Sequence, residues 1–251
     1  AVGVALLGAL KAGDHVVGGD QLYGRSLKLL RDDLPVLGIA TTLADPTDAG
    51  AIRAAIRPET RMILVEVISY PSIRVADMVG IAAVARDAGV LLAVDNTFTT
   101  PRLYQPLAHG SDIVIHSVTK LLAGHSDATL GYVAARDPDL ARRIRVAAVT
   151  WGMTASPFDC WLAERGMFSF DLRLAQAEAN ARLLADALAG APGVARVIHP
   201  GRPDHPDHNR AGQLLAGRAG NMFSFELQGG RAAANAFTRA APGIAFAPTL
   251  G

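Results

Sequence analysis

The chain has 251 residues, half of them hydrophobic, and its 24 basic and 23 acidic side chains leave a formal net charge of +1. This length is enough for one large domain, or for one domain and part of another. The balanced charge gives no reason to expect a nucleic acid or an acidic membrane surface as a partner. No apolar run reaches the roughly 20 residues that a membrane-spanning helix needs.

The single cysteine, Cys160, excludes a disulfide within the chain. It is typical of a protein from a reducing compartment, and we expect a cytoplasmic location. Its neighbours in SPFDCWLAERG form a helical, apolar pattern, which predicts that Cys160 is a small core residue. The sequence begins without Met and ends at FAPTLG, so we expect it to be a piece of a longer protein.

Short apolar or β-branched runs alternate with helical patterns through the first 150 residues. In chain order, the predicted strands are DHVVGG, GIATTLA, RMILVEV, VLLAVDN, DIVIHSV and LGYVAA. Helical stretches such as DAGAIRAAI and DMVGIAAVARDAG lie between most of them. Continuous apolar strands separated by helices predict an α/β fold, with a mostly parallel sheet covered by helices on both faces.

A long helical pattern runs from about Ser156 to Leu188, and Ser156 followed by Pro157 is a typical helix start. The segment GAPGVARVIHPGRPDHPDHNR interrupts this pattern. After it come the strand-like NMFSFELQG, the helical RAAANAFTRAA and the strand-like IAFAPTL. We therefore predict a large domain over residues 1–190 and part of a smaller α/β domain over residues 191–251.

Ligands of open parallel sheets bind outside the carboxyl ends of the strands. Three predicted strands carry polar residues there, which are Glu66, Asp95, and the group Ser117, Thr119 and Lys120. A lysine in this position can simply cap a strand end and reach solvent. No GxGxxG follows a strand, no P-loop motif is present, and Ser117 lacks the GxSxG context of a hydrolase nucleophile. A standard dinucleotide, nucleotide or hydrolase site is therefore not predicted.

Histidines are the other candidates for chemistry. Three of them, His199, His205 and His208, crowd the segment HPGRPDHPDHNR, whose prolines predict a solvated loop. His116 lies inside a strand pattern and is typical of a packed core residue. The spacing does not match a zinc site, and we predict no metal.

A lysine combined with an aspartate suits pyridoxal 5′-phosphate. This cofactor needs an amine for its aldehyde and an acid facing its pyridine nitrogen, so that the ring acts as an electron sink. It needs hydroxyl or backbone N–H groups for its phosphate and benefits from an aromatic face for its ring. Lys120, Asp95, Ser117 with Thr119, and Tyr23 can supply these four functions.

The segment AVDNTFTTPRLYQPLAHGSDIVIHSVTKLLAGHSD closely resembles the transsulfuration, or Cys/Met metabolism, family of pyridoxal-phosphate enzymes. That family includes cystathionine γ-synthases, γ-lyases and β-lyases, methionine γ-lyases and homoserine-ester sulfhydrylases. GDHVVGGDQLYG, SPFDCWLAERG and NMFSFEL extend the resemblance over essentially the whole chain. It implies the type I, aspartate-aminotransferase-like fold and a homo-oligomer built as a dimer of dimers. It also implies a phosphate loop before Ala1 and a carboxylate-binding arginine after Gly251.

The resemblance implies a role for each matching position. Lys120 is expected to form the Schiff base with the cofactor and then to move protons on the substrate. Asp95 is expected to face the pyridinium nitrogen, while Ser117 and Thr119 bind the phosphate. Tyr23 is expected to stack on the cofactor ring and to act as an acid or base at the leaving group. The two residues after Asp95 are assigned structural support.

Several positions depart from the family pattern. Tyr70 precedes Pro71 where the family usually has an asparagine that hydrogen-bonds the cofactor's phenolic oxygen. We expect the Tyr70 hydroxyl to take that role, or the loop to differ. Thr249 stands where a serine binds the substrate and the lysine, and Pro248 replaces a glutamate common in enzymes that handle cystathionine. Arg25, where methionine γ-lyases usually carry cysteine, counts against that activity.

The sequence therefore predicts an enzyme that uses pyridoxal phosphate for elimination or replacement at the γ- or β-carbon. Its expected substrate is a sulfur amino acid or an activated homoserine, and Pro248 favours a smaller or less charged leaving group. Two alternatives stay open, namely another type I activity such as an aminotransferase, and a catalytically silent paralogue that serves as an oligomer partner.

Overall fold

The fold is built around a six-stranded sheet. The computed structural model describes residues 1–241 and 243–245. The strands are β1 (His15–Gly19), β2 (Ala40–Ala44), β3 (Thr60–Glu66), β4 (Leu91–Asp95), β5 (Ile113–Ser117) and β6 (Gly131–Ala135). The strand order is β2-β1-β3-β4-β5-β6. β1 to β5 pair in parallel, and β6 pairs with β5 in the antiparallel sense. The predicted α/β fold with a mostly parallel sheet is confirmed.

Helices connect the strands. They are α1 (Val2–Ala9), α2 (Gly24–Lys28), α3 (Leu34–Val36), α4 (Ala49–Ala54), α5 (Met78–Ala88), α6 (Thr100–Leu103), α7 (Pro138–Thr150), α8 (Pro157–Met167), α9 (Phe170–Ala189), α10 (His208–Leu214) and α11 (Gly230–Ala240). A π-helical turn at Leu29–Asp33 joins α2 to α3, and a 3₁₀ turn at Pro106–His109 follows α6. In the part of the chain that the structure describes, no helix has the length and apolar character to cross a membrane.

The buried core forms two layers, one on each face of the large sheet. Along β3, Ile63 and Val65 belong to a cluster that includes side chains of α4 and α5. Met62 and Leu64 belong to a second cluster that includes side chains of α1 and α7. Successive side chains of a strand point to opposite faces, so a strand covered on both faces must be apolar at every position. This explains the unbroken apolar run MILV at residues 62–65.

The helical pattern from Ser156 to Leu188 forms two helices instead of one. The Ser156 hydroxyl accepts the Asp159 backbone N–H at 3.4 Å and caps the start of α8. The chain then breaks between α8 and α9. Cys160 is exposed, so its prediction as a core residue is wrong. The buried residues of α8 are Ala163 and Gly166, and the cysteine lies outside that narrow contact face.

After α9, β7 (Val194–Ile198) and β8 (Ser224–Leu227) form an antiparallel pair. α11 covers this pair, and the rings of Phe225 and Phe237 meet edge to face with centroids 5.7 Å apart. The segment between β7 and β8 also packs on the core that includes α5, where Ala211 and Leu215 are buried. The domain boundary near residue 190 stays a prediction, and most of IAFAPTL lies outside the described residues.

Two histidines of the segment HPGRPDHPDHNR, His199 and His205, are buried, so the prediction of a solvated loop is wrong there. His205 Nδ1 accepts the Asp207 N–H at 3.0 Å, and Nε2 therefore carries the proton that it donates to the Ile73 carbonyl at 3.0 Å. His116 is buried as predicted, and burial lowers its pKa to about 4. Burial disfavours the charged form of each ring, which is typical of histidines that stabilise packing.

Candidate active site

The carboxyl ends of β3, β4 and β5 open into a cavity of about 290 Å³. All of the predicted site residues except Thr249 line this cavity, and they are Tyr23, Tyr70, Asp95, Ser117, Thr119 and Lys120. Glu66 and Thr97 also line it. Thr249 and Pro248 lie outside the described residues. The fold thus brings distant stretches of the chain together at the sheet edge where a ligand was expected.

Asp95 is held at the end of β4 by Thr97. The Thr97 backbone N–H and hydroxyl both donate to Asp95 Oδ1, at 3.0 and 2.5 Å. The same hydroxyl oxygen accepts the Ser117 backbone N–H at 2.8 Å and so connects β4 to β5. Burial raises the pKa of Asp95, while the bonds from Thr97 act in the opposite direction and favour the carboxylate.

Lys120 lies in the tight turn that follows β5. Its backbone N–H donates to the Ser117 carbonyl at 3.2 Å, and its own carbonyl accepts the Gly124 N–H at 2.8 Å. The side chain is half-buried in the cavity wall, and burial lowers the pKa of its amine. A lower pKa increases the fraction of neutral amine, which is the form that can attack an aldehyde or accept a proton.

Arg173 of α9 holds this turn in place through hydrogen bonds. Its guanidinium donates to the carbonyls of Leu121 at 2.8 Å and Leu122 at 3.2 Å, and to that of Gly166 at 2.9 Å. Gly124 has φ +70°, and a Cβ at this position would overlap the guanidinium. The turn that carries Lys120 therefore depends on an arginine from a distant helix and on a glycine that makes room for it.

The hydroxyl of Thr119 is already engaged. It donates to the Leu130 carbonyl at 3.2 Å and accepts the Leu130 N–H at 2.9 Å. A hydroxyl has one proton, so Thr119 must release the Leu130 carbonyl before it donates to a phosphate oxygen. The assignment of Ser117 and Thr119 as phosphate ligands stays a prediction.

Tyr23 and Tyr70 stand at the open side of the cavity, with 43% and 41% of their surface exposed. The Tyr23 backbone N–H donates to Glu66 Oε1 at 2.7 Å, which fixes the loop after β1 to the end of β3. The Tyr70 ring lies at an angle of 50° to that of Phe98, with centroids 6.0 Å apart. Both rings can contact a ligand in the cavity, and their individual roles stay predictions.

The residues present fit pyridoxal phosphate by their chemistry. The cavity combines one amine, that of Lys120, with the carboxyl of Asp95, whose hydrogen bonds from Thr97 favour the charged form. Hydroxyls of Ser117 and Thr119 and the rings of Tyr23, Tyr70 and Phe98 also line it. These are the groups that an aldehyde, a protonated ring nitrogen, a phosphate and a flat ring require.

The model of the family described as "Cys/Met metabolism PLP-dependent enzyme" matches residues 1–251. The chain belongs to this family. Among its relatives in the family, a protein named "Probable cystathionine gamma-synthase" from Herpetosiphon aurantiacus is 40% identical over 227 residues, which are 90% of this chain and 71% of the relative. Cystathionine gamma-lyase from Bacillus subtilis is 38% identical over 223 residues, which are 89% of this chain and 59% of that protein.

Solved structures of the family have the same fold. Cystathionine gamma synthase from Xanthomonas oryzae pv. oryzae, in complex with aminoacrylate and cysteine, superposes with a TM-score of 0.95 at 36% identity and covers 100% of this chain. The metB protein from Corynebacterium glutamicum gives a TM-score of 0.96 at 32% identity, also over 100% of this chain. This chain covers 64% and 65% of those two chains. The predicted family, the type I fold and pyridoxal phosphate as the family's cofactor are confirmed.

Two contributors to the site were given no role by the sequence. Arg173 lies far from Lys120 along the chain, and nothing near it in sequence signals the turn that it stabilises. Glu66 was visible as a polar residue at a strand end, but its contact with the Tyr23 backbone appears only in the folded chain.

We expect Arg173→Ala to lower the free energy of unfolding by about 3 kcal/mol, because four backbone carbonyls lose a charged donor. Urea denaturation of the cofactor-free protein measures this loss. Arg182→Ala is the matched control, since Arg182 lies exposed on the same helix, and its effect should stay within about 0.5 kcal/mol. Equal losses in the two variants would contradict the role assigned to Arg173.

We expect Thr97→Val to raise the pKa of Asp95, because the variant loses a hydroxyl that stabilises the carboxylate. The carboxyl ¹³C signal of Asp95, followed by NMR titration, should show its midpoint at a higher pH than in the wild-type protein. Thr97→Ser keeps the hydroxyl and should titrate like the wild type. A midpoint that is unmoved in Thr97→Val would show that this hydroxyl does not act on Asp95.

Proposed function

We propose that the protein is a transsulfuration enzyme that carries out elimination or replacement at the γ- or β-carbon of a sulfur amino acid or an activated homoserine. The observation that carries this proposal is the convergence of Lys120 and Asp95 on one cavity at the carboxyl edge of the sheet. When bound, pyridoxal phosphate supplies an electron sink that stabilises negative charge at the α-carbon of an amino acid.

In this proposal Lys120 binds the cofactor aldehyde and also moves protons at the α- and β-carbons of the substrate. Its lowered pKa supports the second task, because a neutral amine is needed to accept a proton near neutral pH. The turn fixed by Arg173 limits the positions from which the amine can act. Good orientation of this kind makes a large contribution to enzymatic rates.

The other residues bind and orient. Asp95 pairs with the protonated ring nitrogen, and Ser117 with Thr119 binds the phosphate. Tyr23 covers one face of the ring and exchanges a proton with the leaving group. Tyr70 donates a hydrogen bond to the phenolic oxygen of the cofactor. Thr249 binds the substrate, by family position.

The names of the relatives support a reaction class rather than one substrate. They include cystathionine γ-synthase, γ-lyase and β-lyase, at 36% to 40% identity. A canavanine γ-lyase from Rhizobium leguminosarum bv. trifolii is 39% identical over an alignment of 259 positions that covers 100% of this chain. Pro248 favours a leaving group that is smaller or less charged than that of cystathionine.

We expect Lys120→Ala to lose the visible absorbance of the bound cofactor and to lower turnover by at least about 10³-fold, since one residue supplies both the anchor and the base. Borohydride reduction of the wild-type protein with cofactor, followed by peptide mapping, should label Lys120. The exposed Lys28, which pairs with Asp32 at 3.0 Å, is the control, and Lys28→Ala should keep absorbance and turnover. Label on another lysine, or full activity in Lys120→Ala, would overturn the assignment.

The same preparation separates the alternative functions. Incubation with cystathionine, methionine, cysteine or acyl-homoserines should release keto acid and ammonia, or a replacement product when a second thiol or amino acid is present. Accumulation of pyridoxamine phosphate would indicate an aminotransferase. Cofactor binding without turnover of any of these compounds would indicate a silent paralogue.

We further propose that the protein forms a homo-oligomer, arranged as a dimer of dimers. Large apolar side chains are exposed along α8 and its flanks, and they are Trp151, Met153, Phe158, Trp161, Met167, Phe168 and Leu172. Phe158 and Trp161 stack with ring centroids 6.0 Å apart and form a flat apolar patch. A patch of this kind favours burial against another protein surface, and a second copy of the chain is the occupant that we propose.

We expect the double variant Phe158→Ser with Trp161→Ser to weaken self-association by at least about tenfold, because aromatic side chains dominate the energy of protein interfaces. Sedimentation velocity over a range of concentrations measures this. Val79→Ser on α5 removes a valine that is 78% exposed elsewhere and should not change the sedimentation profile. A wild-type protein that sediments as a monomer would refute the proposed assembly.

A cytoplasmic location is part of the proposal as well. It is supported by the presence of one cysteine in 251 residues, which is typical of proteins from reducing compartments.

A further inference from the structure

Glu66 is a second carboxyl in the cavity, for which the reaction described above has no use. It is the last residue of β3 and the register partner of Asp95, the last residue of β4. Register partners in neighbouring parallel strands extend from the same face of the sheet. Two acidic side chains therefore lie next to each other at the base of the cavity.

The two carboxyl oxygens of Glu66 have different surroundings. Oε1 accepts the Tyr23 backbone N–H at 2.7 Å. Oε2 is buried and has no hydrogen-bond partner among the residues that the structure describes. A buried anionic oxygen without a donor costs much more free energy than a buried hydroxyl, and a neighbouring carboxylate adds repulsion. The arrangement favours a proton on Oε2.

We propose that Glu66 is a positioning residue that keeps a proton on Oε2 while Oε1 anchors the backbone of Tyr23, which leaves Asp95 as the anionic member of the pair. The inference rests on the proposed function, because it divides two tasks between two adjacent carboxyls. Asp95 carries the charge that faces the ring nitrogen, and Glu66 holds the tyrosine that covers the ring. One negative charge then matches the one positive charge of a protonated ring nitrogen.

The electrostatic surroundings support this division. Burial is the main cause that raises the pKa of Glu66 well above its ordinary value, the charge of Asp95 raises it further, and the N–H of Tyr23 opposes the rise only in part. Asp95 also has a raised pKa, but Thr97 gives it two hydrogen bonds that favour the carboxylate. Among the described residues, the other titratable side chains that line the cavity with this pair are Tyr23, Tyr70 and Lys120.

Two measurements on the cofactor-free protein test the proton directly. Isotope-edited infrared spectra at neutral pH should contain the C=O band of a protonated carboxyl, and Glu66→Gln should remove that band. The stability of Glu66→Gln relative to wild type should also rise with pH above about 4.3, the ordinary pKa of glutamate. The sign follows because unfolded wild-type chains release a proton that the folded protein keeps. The ratio of the two unfolding constants should change by up to tenfold per pH unit, until the folded-state pKa is reached.

The anchoring role is tested by cofactor affinity. Glu66→Ala removes the acceptor for the Tyr23 N–H, and we expect the dissociation constant for pyridoxal phosphate to rise about tenfold, the equivalent of one hydrogen bond. Glu66→Gln keeps an acceptor oxygen and a neutral group, so it should restore most of the affinity that Glu66→Ala loses.

An absent C=O band, or a stability difference between Glu66→Gln and wild type that does not vary with pH, would overturn the proposed proton. Equal cofactor affinity in Glu66→Gln and Glu66→Ala would overturn the anchoring role. None of these readouts needs turnover, so they are separate from the Lys120→Ala experiment. A protein without transsulfuration activity that still shows the band would contradict the proposed function and leave the protonation of Glu66 standing.

Discussion

The register of three parallel strands is the constraint on which the site depends. Glu66 lies opposite Asp95, and Asp95 lies opposite Ile115, so β3, β4 and β5 end at nearly the same level. Polar residues that follow buried apolar strands therefore emerge at one edge and enclose a small cavity. The same register places the carboxyl groups of Glu66 and Asp95 next to each other. Two negative charges at this edge would repel each other, and the structure has to reduce that repulsion.

Few groups reduce the repulsion between the two carboxyls. The hydroxyl of Thr97 donates a hydrogen bond to Asp95 and accepts one from the Ser117 N–H, so one side chain stabilises the carboxylate and connects neighbouring strands. Glu66 receives a single backbone N–H, from Tyr23. The unequal number of donors separates the tendencies of the two acids to ionise, in the same way that environment separates paired carboxyls in many enzymes. Backbone geometry and one threonine therefore determine which of the two acids ionises more readily at this edge.

Most of the sheet could be predicted from the sequence, and so could the position of Lys120 and Asp95 at its carboxyl edge, because these signals are local. Apolar runs mark strands, and Lys120 and Asp95 follow such runs directly. The predictions that were wrong concern residues whose surroundings depend on partners that are distant in sequence. The burial of His205 relies on the carbonyl of Ile73, and the exposure of Cys160 depends on which face of α8 meets the segment after β5. Periodicity indicates that a helix has a buried side but not what covers it.

Gly166 near the end of α8 also depends on a distant partner. The helical pattern is continuous, yet a side chain at Gly166 would collide with the carbonyl of Ala123 in the lysine-bearing turn. The glycine at this position is thus explained by a contact with a loop that precedes it by many residues. Helix propensity alone contains no information about such a contact. Resemblance to a family predicts the residues that make the contact but not the physical reason for them.

Gly124 and Arg173 have a consequence for how this chain can change over time. Any side chain at position 124 would occupy the volume of the guanidinium, and the glycine's φ of +70° already disfavours other residues. A substitution at 124 would therefore displace the arginine, and loss of the arginine would remove the reason for the glycine's small size. Mutations at the two positions should be strongly epistatic, so that replacing both costs less than the sum of replacing each. Gly124 and Arg173 should therefore change together during evolution. A substitution at either position alone costs stability, whereas a substitution at a neighbouring surface position does not.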